Sequence, residues 1–165
     1  MGTKGTGMKS GFPSRVKFVD IIYKGVDDEL LFAGPVKLEQ ENGKNSMALD
    51  FTTEFINKTS DSVVFRFTII SKKQGIKFPE VSISSNDTIY SAYHFKLMFN
   101  ESRHKKYYYR YSLIISYDSF SKILESKSFK LIFNNQNIFN TSKHWQKNAN
   151  EIKNKISLIA SSNIR

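Results

Sequence analysis

The sequence predicts a mainly β protein, an antiparallel two-sheet β-sandwich of about eight strands with one short helix and a C-terminal amphipathic α-helix packed on the sheet. Three observations carry that expectation. The stretch Tyr107–Tyr117, YYYRYSLIISY, alternates with period two: Tyr107, Tyr109, Tyr111, Leu113, Ile115 and Tyr117 fall on one side, and Tyr108, Arg110, Ser112, Ile114 and Ser116 on the other. The chain carries 14 Phe and 8 Tyr, residues that favour strands, with clusters of Asn, Asp and Ser between the alternating runs. Only after Tyr117 does the apolar spacing become helical, briefly at Phe120, Ile123 and Leu124 and again near the end.

Taken in order, Arg15–Tyr23 reads as a first strand, closed by Gly25 and the acidic turn Asp27-Asp28-Glu29. Gly34-Pro35 punctuates before a short extended run over 36–40, which ends in the turn-forming segment Glu41–Asn45. Met47, Leu49, Phe51 and Phe55 then alternate with polar residues, and Val63, Phe65, Phe67 and Ile69 do the same after the polar turn at 57–62. This is the clearest hairpin in the chain. In pattern it resembles the two-strand unit common to immunoglobulin-like sandwiches, which implies that fold and nothing about activity.

Ser71–Phe78 reads as a basic loop containing Gly75, Val81–Ser84 and Ile89–Tyr93 as short strands about the turn at 85–87, and Phe95, Leu97 and Phe99 as another strand. Residues 100–106 form the expected loop into the Tyr-rich strand. Asp118 is the expected cap of a short helix over 119–125, and Phe129, Leu131 and Phe133 return to alternation before a turn at Asn134-Asn135-Gln136. Trp145, Ala149, Ile152, Ile156 and Ile159 recur at spacings of four, three, four and three, which predicts a final helix over 142–160 with its cap at Asn140-Thr141 and a narrow apolar stripe. Residues 1–12, with their glycines and second methionine at Met8, are expected to be a flexible head or cloning scar, and 13–165 a single domain.

Composition narrows the function classes. At 165 residues with 39% apolar, 14% aromatic and 24% charged side chains, the chain is long enough and hydrophobic enough to bury a core. No apolar run approaches the roughly 20 residues that would span a bilayer. There is no cysteine, so disulfides, thiolate metal sites and a cysteine nucleophile are excluded. That lack leans toward the reducing cytoplasm, with a secreted or envelope location open had a signal peptide been removed. The usage of Lys, Asn, Ile, Phe, Tyr and Ser is of the AT-rich, bacterial type.

The net charge of +10 is uneven: residues 101–165 hold 12 Lys/Arg against 4 Asp/Glu, a net of +8, and residues 1–100 hold 13 against 11, a net of +2. A field of one sign draws anionic partners, although lysine is also the default surface residue of such a composition. Within that half, Arg103, Lys105 and Lys106 precede Tyr108 and Arg110, which interleaves cations with rings in the way single-strand binders do, and Lys143 and Lys147 could extend the patch. These seven residues are the expected contacts to an anionic partner. The competing expectation is structural, with Tyr107, Tyr109 and Tyr111 as the core-facing set of a strand.

Catalytic and cofactor motifs are missing. His94, His104 and His144 have no metal-ligand spacing, no G-x-S-x-G or S-x-x-K occurs, and the eight glycines form no phosphate-cradling loop. The four N-x-S/T triplets, at Asn57, Asn86, Asn100 and Asn140, are expected by chance in a chain this rich in Asn and Ser. The leading expectation is thus a non-catalytic binding module without cofactor or metal, meeting a protein or other macromolecule through its loops or a sheet edge. The alternative is a binder of nucleic acid or another polyanion through residues 103–110, and the third is an enzyme whose site assembles only in the fold.

Overall fold

The computed structural model describes residues 17–78 and 80–162, so the expected head at 1–12 lies outside the described residues. In chain order the elements are β1 (Val19–Tyr23), β2 (Asp28–Gln40), β3 (Ser46–Ile56), β4 (Ser62–Ser71), β5 (Val81–Ser85), β6 (Thr88–Tyr90), β7 (Tyr93–Arg103), β8 (Lys106–Ser116), α1 (Tyr117–Glu125), β9 (Lys130–Phe133), β10 (Asn137–Thr141) and α2 (Trp145–Ser161).

All the strands hydrogen-bond into one antiparallel sheet. Nine follow one another in the order β6-β5-β9-β10-β2-β3-β4-β8-β7, and β1 pairs with the first half of β2, beside β10 on its second half. A single curled sheet, a half-barrel, therefore stands where the sequence suggested two sheets. The curl can be measured. β9 and β4 are four strands apart, and β9 and β7 six, so on a flat sheet with strands about 4.8 Å apart they would be separated by about 19 and 29 Å. Yet the ring of Phe133 in β9 lies 5.6 Å from that of Phe67 in β4 and 6.4 Å from that of Phe95 in β7. The inner face has rolled until its rings meet across the hollow.

Period-two alternation decides which residues go inside. Tyr109, Tyr111, Leu113 and Ile115 of β8 are buried and Tyr107 is half-buried, whereas Tyr108 and Arg110 lie on the outer face. Val63, Phe65, Phe67 and Ile69 of β4 sit opposite them with no exposed surface. Fully burying a side chain of this size is worth about 1.5–3 kcal/mol, so an aromatic inner face can hold the curl together without a second sheet.

One end of the half-barrel is closed by helices. α1 leaves directly from the end of β8, its first turn capped by the Oγ of Ser116, which accepts from the Ser119 N–H at 3.1 Å; the cap is Ser116 and not Asp118. Phe120 of α1 packs 5.4 Å from Phe51 and 6.0 Å from Phe65. Trp145, the first residue of α2, packs 4.7 Å from Phe129 and 6.1 Å from Phe51. The expected stripe is the packed face, with Trp145, Ala149, Ile152 and Ile159 buried. The expected cap at Asn140-Thr141 is displaced: both residues belong to β10, where pairing with β2 and β9 claims their backbone, and the helix starts at Trp145 behind His144.

Three further readings change. Gly34-Pro35 does not separate two strands but forms a bulge inside the 13-residue β2. Gly34 has φ +141°, and a Cβ there would come within 2.8 Å of the Asp50 Cβ, so the bulge depends on a residue without a side chain. Residues 100–106 are not a loop: β7 runs on to Arg103 and turns through His104 and Lys105, with φ of 49° and 62°, directly into β8. Lastly, ten strands form among the described residues where about eight were expected.

Candidate functional site

The end of the half-barrel away from the helices stays open. There β2 ends, β3 begins, β4 ends and β8 begins, and the connections between them stand around a hollow of about 620 Å³. The β2–β3 turn contributes Lys44, the segment following β4 contributes Lys72 and Lys73, and the β7–β8 hairpin contributes Lys106. Ile70, Ile76 and Phe78 supply the apolar part of its lining, and the amides of Gln40, Asn45 and Asn137 complete it. No carboxylate among the described residues lines it. Among the described residues none of the four lysines makes an ion pair, unlike Lys24, Lys37, Lys122 and Lys153, which do.

The mouth is braced from below by residues the alternation places inside. The Tyr109 hydroxyl accepts from the Gly75 N–H at 2.9 Å and donates to the Lys73 carbonyl at 3.3 Å, so a core-facing tyrosine ties down the loop that bears Lys72 and Lys73. The Ser71 Oγ accepts from the Lys73 N–H at 3.0 Å. On the far wall the Gln40 amide spans two elements, donating to the Asn137 Oδ1 at 3.3 Å and accepting from the Asn45 N–H at 3.2 Å. Phe78 closes the floor against Phe133 at 4.7 Å and Tyr111 at 6.1 Å. Burial pushes the Tyr111 phenol above its ordinary range, a shift partly offset by a hydrogen bond with the Phe78 backbone.

Of the residues singled out in the sequence, the fold brings only Lys106 into this mouth. Arg103 is exposed beside it but bonds to Glu101 at 2.8 Å, and Lys105 stands at the tip of the turn. Tyr108 and Arg110 share the outer face as expected. There the Arg110 guanidinium is engaged by Asp50 at 2.7 Å and by the Thr68 hydroxyl at 3.0 Å, in a pair less than a quarter exposed. Arg66, one strand over, donates to Thr52 at 2.9 Å, so this patch laces β3, β4 and β8 together across their outer side. Lys143 and Lys147 are exposed at the start of α2, at the helical end and away from the mouth.

Lys44, Lys72 and Lys73 were missed as site residues. The signal was present only in part: Ser71–Phe78 is visibly basic, but nothing in the letters says that its lysines face Lys44 and Lys106 across a hollow. The three histidines lie on β7, in the β7–β8 turn and before α2, and among the described residues no three His, Asp or Glu side chains gather as metal ligands would. No described helix is long and apolar enough to cross a membrane. No family model, curated protein or solved structure matches the chain.

Proposed function

We propose that the chain is a non-catalytic binding module that holds a polyanionic macromolecule, such as a single-stranded nucleic acid, at the open end of its half-barrel. The observation that supports this reading is the convergence of four lysines, Lys44, Lys72, Lys73 and Lys106, from three separate connections onto one hollow where, among the described residues, they form no ion pair and meet no carboxylate. Such a concentration of one sign over a partly apolar floor attracts phosphate or sulfate groups and gives the rest of the ligand a surface to lie on. The anionic partner expected from residues 103–110 is retained in kind, but its contacts move from the outer face of β8 to the rim, where Lys106 joins lysines of other loops.

Titration of a labelled single-stranded oligonucleotide at several salt concentrations tests this. Four phosphates neutralised on a single strand give a slope of log K against log salt of about −3, and the double change Lys72→Ala with Lys106→Ala lowers it to about −1.4. Binding independent of salt, or the same slope in the double variant and the parent, would sink the proposal.

A further inference from the structure

We infer that two copies of the chain pair edge to edge through β7, antiparallel, with Lys96 of each copy opposite Glu101 of the other. The sheet path ends in β6, only three residues long, and in β7, eleven residues long, with no strand of the described residues on its outer side. A long free edge presents a row of backbone donors and acceptors to any strand that can match it. Of the ten large hydrophobic residues exposed in the described chain, four lie on this one strand: Tyr93, Leu97, Met98 and Phe99, each about half exposed. Concentration on the free edge, rather than scatter, is what marks a contact surface.

The second copy is the occupant because β7 complements itself. Two strands related by a two-fold axis normal to the sheet must set each residue opposite one on the same face. Lys96 lies beside Ser112 and Glu101 beside Tyr108, both on the outer face, whereas Leu97 lies beside Tyr111 and Asn100 beside Tyr109, both on the inner face. In a regular strand Lys96 and Glu101, five apart, would face opposite ways. The register shift between Leu97 and Phe99 brings them to the same side. Setting Lys96 against Glu101 of the second copy, where it joins that copy's own Arg103 on the carboxylate, then aligns Leu97 with Asn100 on the inner face, and the axis falls at Met98 and Phe99. Symmetry gives the ion pair twice, flanking an apolar centre. A bulge in an edge strand ordinarily turns it away from partners. Here it lies on the axis, where it shifts the phase of both strands alike.

The pairing leaves the lysine-lined hollow clear, because the antiparallel arrangement carries the two β7–β8 turns to opposite ends. The inference therefore stands apart from anion capture. Sedimentation of the full chain over a concentration series tests it, with the expected mass rising from 19.1 kDa to twice that value and falling again on dilution. Lys96→Glu alone and Glu101→Lys alone each turn attraction into repulsion at both pairs and raise the dissociation constant at least about tenfold. Mixing the two variants restores association, since each then offers what the other lacks. Melting curves of both variants matching the parent at dilutions where all three are monomeric would assign the loss to the contact. A parent that stays at 19.1 kDa up to its solubility limit, a dimer indifferent to either reversal, or a mixture no stronger than its components would overturn it.

Discussion

Phe133 is where the curl of the sheet can be broken by one substitution. Its ring has no exposed surface and touches Phe78 at 4.7 Å, Phe67 and Phe139 at 5.6 Å and Phe95 at 6.4 Å, which ties β9 to four other parts of the chain. Phe133→Ala removes a fully buried ring and leaves a hollow the surrounding aromatics can only partly fill, at a cost of about 3–5 kcal/mol. In a domain of this size each kcal/mol shifts the midpoint by about 2–4 °C, so a drop of about 10 °C is expected. Urea unfolding of the parent, Phe133→Ala, Phe67→Ala and the double variant separates lost burial from contact across the hollow. If the two rings touch as described, the double-mutant cycle returns a coupling of about 0.5–1.5 kcal/mol. Leu158→Ala, on the exposed side of α2, serves as the control and should cost no more than about 0.5 kcal/mol. A cycle additive within about 0.3 kcal/mol, with Phe133→Ala no worse than the control, would refute the half-barrel, because strands four apart on an open sheet cannot couple.

Three further outcomes are expected. Tyr109→Phe removes the hydroxyl that joins Gly75 to Lys73; stability should fall by about 1 kcal/mol, and oligonucleotide affinity should weaken although no lysine has changed, which the salt titration reads directly. Gly34→Ala should cost at least about 2 kcal/mol by thermal melting, since the new Cβ meets Asp50 at a positive φ, and a neutral result would mean that β2 does not bulge there. Stability should decline in alkali: burial raises the phenols of Tyr111 and Tyr117, so from about pH 10 upward the unfolded chain binds fewer protons than the folded one, while below that the contribution is fully present. Melting curves between pH 8 and 11 on the parent and Tyr111→Phe should show the shallower decline in the variant.

Alternation made the inward residues of β3, β4 and β8 legible, because a half-buried strand must place its apolar set on one face. Turns were legible where Asn recurs, as at Asn57, Asn86 and Asn134, since these positions require the left-handed backbone that Asn tolerates. Gly34-Pro35 misled for a related reason. Glycine and proline report a local departure from regular backbone, and a bulge within a strand needs that departure as much as a turn does. The choice between two sheets and one curled sheet was beyond period-two reasoning, which assigns faces but not the strand order that decides what each face meets. The rim was hidden for the same reason. Lys44, Lys72 and Lys106 are separated by tens of residues, and their nearness depends on three registers acting together, whereas the run at 103–110 drew notice only because its charges are adjacent in the chain.

The wall formed by Gln40 and Asn137 joins β2 to β10 across almost a hundred positions of sequence. During synthesis that half of β2 must wait, its edge bare, until the last hairpin emerges from the ribosome and zips onto it. The rim with its lysines is thus among the latest features to be completed, and a nascent chain halted before β10 would lack it. A ligand bridging that seam would act as a clasp, favouring the finished topology over its precursors and slowing its reopening.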